Sequence, residues 1–183
     1  MGPAVSLVPC ERALVDAALG SDTALAGALG CTVAEGWLVF PASLGRFSAQ
    51  LAADPAAARW GPRFIVVQPP RTVVGWGGFK GAPDTDGTVE IGYSIAPAWE
   101  GRGVATAAVA ALLGEAWAAP GVRRVIAHTL AERNASGRVL EKSGFVRDGE
   151  TRDGDVGVVW RYRRDRGAAR TPGDPRSPPP ASG

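Results

Sequence analysis

A glycine-containing turn between an alternating strand and an apolar helix constrains this chain more than any other feature of its sequence. The turn reads Trp99-Glu100-Gly101-Arg102-Gly103, and its glycines allow successive backbone N–H groups to point inward. The helix that follows adds partial positive charge at its N-terminus. Together these groups predict an anion site suited to a pyrophosphate. The alternative is an ordinary glycine turn, because a lone Gly-x-Gly pattern has low specificity.

Two well-known phosphate-binding patterns are excluded at this turn. No Gly-Lys-Ser/Thr sequence follows it, so it is not a Walker A loop. Thr106 stands where a dinucleotide-binding fingerprint has its third glycine. The anion site must therefore be judged from the elements around the turn.

The strand predicted before the turn, over 88–96, has two unlike faces. One face is apolar, and its residues are Val89, Ile91, Tyr93 and Ile95. The other face is polar and slim, and its residues are Thr88, Glu90, Gly92 and Ser94. A strand that is buried on both faces would have large side chains on each of them, so the slim face indicates a site rather than core.

The remaining elements predict a mixed α/β sheet. Further strands are predicted at 5–8, 63–67, 72–80, 122–130, 145–151 and 156–163. Helices are predicted from residue 14 through most of the segment ending at residue 53, over 103–118, and from an N-cap at Asn134 to Gly144. Strands in series, followed by strand–helix–strand–helix–strand, are typical of this class.

Composition narrows the class of protein further. A chain of 183 residues that is 45% hydrophobic can bury a sizeable core, and a net charge of +2 gives no support for a nucleic-acid or membrane-surface binder. Cys10 and Cys31 are too few for a disulfide framework or a metal cluster, so no metal is expected. The sequence shows no export signal and no apolar run of about 20 residues, so we expect a cytoplasmic protein.

The end of the chain differs in composition from the rest. From residue 165 the sequence is rich in Pro, Gly and Ser and has no large apolar residue. Such a segment cannot bury a core. We therefore predict a domain over 1–164 and a disordered tail over 165–183.

Two motifs in their proper order connect the turn to a known family. The first runs from Val89-Glu90-Ile91-Gly92-Tyr93 to the 101–106 segment, and the second joins Asn134-Ala135-Ser136 to the 139–145 segment. Together they resemble the GNAT superfamily of acetyl-CoA-dependent N-acetyltransferases, and within it the ribosomal-protein-alanine N-acetyltransferases. The resemblance covers about residues 73–160. The first 60 residues share only a strand-then-helices order with the family.

The resemblance implies a GNAT-like fold with a mixed, mostly antiparallel sheet, a central parallel strand pair and flanking helices. Acetyl-CoA would be the co-substrate, held where the 88–96 and 122–130 strands separate. The family's loop pattern, Q/R-x-x-G-x-G/A, falls on 100–105 of this chain. Glu100 departs from it, and Arg102 would offset the carboxylate charge.

The resemblance also implies which residues hold acetyl-CoA. A backbone N–H near Ile95 would stabilise the thioester oxyanion. Asn134 would contact the pantetheine arm or serve only as a helix cap. The full set is Ile95, Gly101, Arg102, Gly103, Val104, Ala105, Thr106 and Asn134.

A base and an acid are needed for amine acetylation. Glu90 is the first choice of base, since the resemblance implies a strand glutamate in that role; its alternative role is an ion pair at the sheet rim. His128, the sole histidine, is the second choice, or a structural residue. Many family members have a tyrosine that acts as general acid where this chain has Leu140. The resemblance to the ribosomal-protein branch implies that the Ser136 hydroxyl takes this role.

The implied partner is an amine-bearing acceptor, either a protein N-terminus or a small molecule such as an aminoglycoside-like antibiotic. Neither nucleic acid nor a membrane is expected, and a homodimer is compatible with the fold. Trp37 would form a lid over the acceptor or pack in the core. Two other functions stay open at this point: a non-catalytic acyl-CoA-binding module and a nucleotide-binding α/β protein.

Overall fold

The computed structural model describes residues 3–167, which fold around one large sheet. Its strands are β1 Ala4–Pro9, β2 Thr32–Val33, β3 Pro62–Gln68, β4 Thr72–Phe79, β5 Thr88–Ile95, β6 Arg124–Leu130, β7 Val146–Asp153 and β8 Gly157–Asp165. Its α-helices are α1 Arg12–Gly20, α2 Asp22–Leu29, α3 Pro41–Ala53, α4 Val104–Ala118 and α5 Ala135–Lys142. Short 3-10 helices cover Pro55–Trp60 and Pro97–Trp99.

The strand order confirms the predicted α/β class. Seven strands follow the order β1-β3-β4-β5-β6-β8-β7, and β2 pairs with β4 beside this path. The central β5–β6 pair is parallel, as is the two-residue β2–β4 pair, and the others are antiparallel. The sheet is therefore mixed and mostly antiparallel, with a parallel pair at its centre and helices on its faces.

Alternation along β5 divides the core into two parts. Its odd-numbered apolar residues pack toward α4 and α5, together with Val109, Leu112 and Leu140. The opposite face of the sheet packs against α1–α3, where Phe47, Trp37 and Trp76 are buried. Because successive side chains of a strand point to opposite faces, Gly92 and Ser94 of β5 face the α3 side of the sheet, where they line a cavity.

The first third of the chain differs from the prediction in two respects. The helix expected through Trp37 and Phe40 begins only at Pro41, which is its first residue. Phe40 has φ −122° and ψ 76°, because a following proline disfavours the helical conformation. Residues 34–40 therefore form a loop, and the short β2 before it has no counterpart in the sequence prediction.

The two ends of the described chain bear on the other predictions. Cys10 and Cys31 are both free thiols. Strand β8 extends to Asp165, and the next residue, Arg166, donates to the carbonyls of Val122 and Ala119. Most of the predicted tail, 168–183, lies outside the described residues. Within residues 3–167, none of the helices is both long enough and apolar enough to cross a membrane.

Glycines in β4 allow an unusually close approach of β5. A Cβ atom on Gly75 would lie 2.2 Å from the Ser94 carbonyl oxygen, and one on Gly77 would lie 2.5 Å from the Gly92 carbonyl oxygen. Real Cβ atoms do not come so close to backbone. Only glycine at these positions lets β5 stay against β4.

We predict that Gly75→Ala lowers the free energy of unfolding by about 1–3 kcal/mol, because the added methyl group forces the two backbones apart. Urea denaturation measures the change. The matched control is Gly114→Ala in α4, where a Cβ would meet nothing within 4 Å. That control should raise stability by about 0.5–1 kcal/mol, since alanine is the better helix former. Equal effects at the two sites would contradict the close-approach argument.

Candidate active site

A gap opens at the centre of the sheet where β5 and β6 separate. The two strands pair only over Thr88–Arg124, Val89–Val125 and Glu90–Ile126. Beyond that point β5 stays paired with β4 as far as Ile95, and β6 stays paired with β8 as far as Leu130. Each strand follows its outer neighbour, which leaves a wedge between them that no other strand fills.

Backbone donors of β5 point into this gap. The carbonyl of Glu90 accepts from the Lys80 N–H at 2.9 Å, and the N–H of Ala96 donates to the Val74 carbonyl at 2.7 Å. Even-numbered residues of β5 thus direct their backbone groups toward β4. In a strand these directions alternate, so the N–H groups of Tyr93 and Ile95 face the gap. This orientation matches the predicted use of the Ile95 N–H.

The glycine turn lies where β5 ends and α4 begins. Gly101 and Gly103 have φ values of 70° and 80°, in the left-handed region that favours glycine. No side chain caps α4, and its first backbone bond runs from the Ala107 N–H to the Gly103 carbonyl. The three preceding N–H groups, of Val104, Ala105 and Thr106, are therefore free of helical partners, as expected at a helix N-terminus.

Two charged side chains flank these N–H groups. Glu100 and Arg102 are both exposed. The Arg102 guanidinium lies 5.2 Å from the centre of the Trp99 ring, within the range of a cation–π contact. Arg102 is thus held beside the turn rather than extended away from it.

Glu90 and His128, the two predicted bases, contact each other. The Nδ1 atom of His128 lies 3.0 Å from the Glu90 Oε1, and the Lys80 ammonium lies 2.5 Å from the same oxygen. Burial acts to raise the pKa of Glu90, but the hydrogen bonds and positive charges of Lys80 and His128 outweigh it, so the pKa lies below its ordinary value. Glu90 is therefore a carboxylate at neutral pH.

The contact determines which imidazole nitrogen is free. A carboxylate only accepts hydrogen bonds, so the proton of neutral His128 belongs on Nδ1, where it is donated to Glu90. The lone pair is then on Nε2. His128 also lines a cavity beside the gap, whereas Glu90 does not.

The cavity has a volume of about 660 Å³ and lies between α3 and the slim face of β5. Gly92 and Ser94 form part of its wall. The Ser94 Oγ is buried and has no hydrogen-bond partner within residues 3–167. Buried hydroxyl groups are almost always bonded, and this one is an exception.

Helix α5 borders the gap and carries the other predicted residues. Asn134 is its N-cap, accepting from the Gly137 N–H at 2.8 Å. The Tyr93 hydroxyl donates to the Ser136 carbonyl at 3.3 Å. Burial raises the pKa of Tyr93 to about 12, although the Ser136 hydrogen bond acts in the opposite direction. Tyr93 thus joins β5 to the first turn of α5 as a neutral phenol.

Four residues take roles that the sequence left open or missed. Leu140, at the family's tyrosine position, is 1% exposed in the core. Trp37 packs in the core and donates to Asp22, so it is not a lid, and the exposed Phe40 lines the cavity instead. Lys80 was not a candidate, although the hairpin that joins β4 to β5 brings it opposite Glu90.

The predicted residues therefore fall into three groups around the gap. Glu90 and His128 meet on the cavity side. The backbone groups of Ile95 and of 101–106 lie along and beyond the end of β5. Asn134 and Ser136 occupy the first turn of α5. Within residues 3–167, no cluster of three or more His, Cys, Asp or Glu residues is arranged to hold a metal ion.

Comparison with known families places most of the chain in one domain. Residues 31–146 match the family model described as an acetyltransferase (GNAT) domain. The match includes the gap, the glycine turn and α5. Comparison with curated proteins finds no match.

Solved structures share the whole fold at low sequence identity. RimJ of Mycobacterium smegmatis, in complex with CoA-disulfide, is 22% identical with a TM-score of 0.62, covering 88% of this chain and 82% of that one. Aminoglycoside acetyltransferase AAC(6′)-Ib, in complex with coenzyme A, is 16% identical with a TM-score of 0.62, covering 89% and 95%. A chimera of spermidine N-acetyltransferase SpeG from Vibrio cholerae with hSSAT is 15% identical with a TM-score of 0.62, covering 88% and 95%.

We predict that Glu90→Gln lowers the free energy of unfolding by about 1 kcal/mol at pH 7, because it removes the charge that pairs with Lys80. The loss is no larger because Lys80 is half-exposed and solvent weakens the ion pair. A lowered carboxyl pKa stabilises the fold above the unfolded value of about 4.3. That stabilisation disappears as the pH falls through the folded-state pKa. Wild type and variant should therefore converge in acid, which urea denaturation at a series of pH values measures.

The control for this prediction is Glu132→Gln, which changes an exposed carboxylate. We expect less than about 0.5 kcal/mol at any pH, as for most surface substitutions. A difference between Glu90→Gln and wild type that stayed constant with pH would show that Glu90 contributes nothing through its charge.

Proposed function

Because this chain belongs to the GNAT acetyltransferase domain family, we propose that it moves an acetyl group from acetyl-CoA to a primary amine, with both substrates bound together. The observation that carries this proposal is the His128–Glu90 pair, of which His128 lines the cavity beside the gap between β5 and β6. Amine acetylation requires a base, space for acetyl-CoA and hydrogen-bond donors for its negative charges. The paired imidazole, the gap and the helix N-terminus are suited to these three tasks.

The gap and the glycine turn supply a fitting site for coenzyme A. Its pantetheine arm is a chain of amides that can bond to the backbone groups β5 directs toward β6. Its pyrophosphate matches the N–H groups of 104–106, whose helix end favours negative charge. Asn134 uses its amide oxygen as a helix cap and donates one NH₂ hydrogen to the Leu130 carbonyl at 3.4 Å, which leaves its second NH₂ hydrogen to contact the pantetheine arm. The coenzyme A complexes of RimJ and AAC(6′)-Ib have the same overall fold.

The reaction begins when an acceptor ammonium in the cavity gives a proton to Nε2 of His128. The free amine attacks the thioester carbonyl, and the Ile95 N–H stabilises the oxygen that becomes negative. The carbon–sulfur bond then breaks and coenzyme A leaves as a thiolate. Ser136 relays a proton from the solvent to that sulfur. The acetylated amine loses its second proton to the solvent, and His128 releases the proton that it took up, so one proton is released overall. Binding both substrates side by side removes much of the entropic barrier.

In this proposal Glu90 and His128 act together rather than as alternatives. The lowered pKa of Glu90 makes its carboxylate a weak base. The same carboxylate fixes the His128 ring and stabilises the imidazolium that forms. His128 is therefore the proposed base, and Glu90 a positioning residue. Tyr93 holds α5 against β5 through its bond to Ser136.

We predict that His128→Ala lowers kcat/KM by about 10²- to 10⁴-fold, the usual contribution of a general base. Release of free thiol from acetyl-CoA over a panel of primary amines measures it. Glu90→Gln should retain more activity, and its pH profile should shift, because the imidazolium loses its carboxylate partner. Coenzyme A affinity and thermal unfolding of each variant control for misfolding.

The opposite ranking would return Glu90 to the role of base. If His128→Ala kept near-wild-type kcat/KM while Glu90→Gln was inactive, our assignment would be wrong. Nitrogen NMR of the single imidazole provides a second check. A lone pair on Nδ1 in the neutral ring would contradict the proposed geometry.

The same panel distinguishes catalysis from binding alone. Glu100 in the turn and Leu140 in place of the tyrosine are the features that favour a non-catalytic acyl-CoA-binding module. Tight binding of acetyl-CoA without turnover of any amine would support that function. Binding of ATP or NAD without binding of coenzyme A would contradict both functions.

We predict that Gly103→Ala weakens coenzyme A binding about tenfold. The left-handed conformation costs alanine about 1–2 kcal/mol, and relaxing it turns the N–H groups of the loop away from the pyrophosphate. Calorimetric titration with coenzyme A measures the change. Gly30→Ala is the matched control, since Gly30 has φ 60° and no atom within 4 Å of an added Cβ. It should lose similar stability and keep wild-type affinity.

A further inference from the structure

The cavity beside His128 has a lining suited to an apolar molecule. Phe79 and Tyr93 border it, but their rings pack in the core on the α4 side of the sheet. Its other aromatic residues are Phe40, Phe47, Trp60 and Trp76. Phe40 is 60% exposed at the rim, where its ring is open to a bound molecule. The volume of about 660 Å³ lies within the range of small-molecule sites. A ring or aliphatic body would bury apolar surface on these side chains.

The charges in the lining are positive. Arg46 of α3 and Lys80 line the cavity, and no Asp or Glu among the described residues does. Lys80 is neutralised by Glu90. Arg46 has no carboxylate partner within residues 3–167, and its guanidinium donates only to the Ser43 hydroxyl at 2.9 Å. One unneutralised arginine therefore faces the space where an acceptor would bind.

From this lining we infer that the acceptor is a primary amine with an apolar, preferably aromatic, body and a carboxylate or similar anionic group. The inference rests on the proposed function and specifies its substrate class. The amine would lie at His128, the body on the aromatic side chains, and the anion at Arg46. Arginine suits this role, because its planar guanidinium presents two parallel N–H groups to a carboxylate.

Polycationic acceptors are disfavoured by the same lining. A polyamine brings several ammonium groups, and each one taken from water needs an anion or another strong acceptor. The aromatic faces offer weaker cation–π contacts. The nearest carboxylate, Glu90, is already bonded to Lys80 and His128. Arg46 would repel the remaining charges.

A matched set of acceptors tests the inference. The set is para-(aminoethyl)benzoate, its neutral benzamide, phenethylamine and spermidine, each assayed by thiol release at saturating acetyl-CoA. We expect the benzoate to have a kcat/KM about tenfold above the benzamide, the size of one charge-assisted hydrogen bond. Spermidine should be the poorest acceptor. The advantage of the benzoate should lie in KM, because Arg46 binds the substrate away from the reacting atoms.

Arg46→Glu makes the assignment specific. This variant should lose the preference for the benzoate over the benzamide and should accept spermidine better. Arg152→Glu is the control, since it makes the same charge change on the exposed β7 and should keep the wild-type preference. Calorimetric binding of the benzoate to the protein loaded with coenzyme A gives a readout that does not depend on turnover.

The outcomes separate this inference from the proposed function. Equal use of spermidine and the benzoate, or a benzoate preference that survives in Arg46→Glu, would overturn the acceptor class and leave acetyl transfer intact. No acetylation of any amine, with coenzyme A bound, would overturn the proposed function and this inference with it. Loss of the benzoate preference in Arg46→Glu, with the preference kept in wild type and Arg152→Glu, supports both the acceptor class and acetyl transfer.

Discussion

The separation of β5 from β6 is the constraint on which the rest of this structure depends. Hydrogen bonds to β4 and β8 hold the two strands on their outer sides, and pairing between them stops at Glu90 and Ile126. A continuous sheet would have used the β5 backbone groups that face the gap. Gly75 and Gly77 of β4 also keep β5 in this position, because any side chain there would press β5 away from β4. The gap therefore depends on β4 and β8 as much as on β5 and β6 themselves.

Alternation along β5 then assigns a different task to each side of the sheet. Odd-numbered residues carry backbone donors at the gap and pack beneath α4 and α5. On the even-numbered face, Gly92 and Ser94 line the cavity and leave space there. His128 of β6 lies on the same face of the sheet as Glu90. Glu90 is in register with Ile126, and residues two apart on a strand share a face. A carboxylate, an imidazole and an ammonium consequently converge where two substrates would meet.

Much of the fold could be predicted from the sequence, since its signals are local. The glycine turn, the 15-residue helix α4 and the Asn134 cap each rest on neighbouring residues, and all three are confirmed as structural elements. The prediction of a helix through Phe40 was wrong, and the reason is also local. Pro41 can begin a helix, but it disfavours the helical conformation of the residue before it. The two-residue β2 was missed, since so short a strand has no period to detect.

The candidate site shows where sequence reasoning stops. The sequence by itself determined the residue types and their order: a slim strand face, a turn rich in backbone donors, and a short list of titratable side chains. From the sequence, Glu90 and His128 were alternative candidates for the base, because nothing in the sequence indicates that two residues 38 positions apart are in contact. Only the tertiary structure made them partners, added Lys80, moved Trp37 into the core and put Arg46 on the cavity wall. Helices and turns follow from interactions within a few residues, whereas charge pairing and cavity lining depend on which distant strands become neighbours.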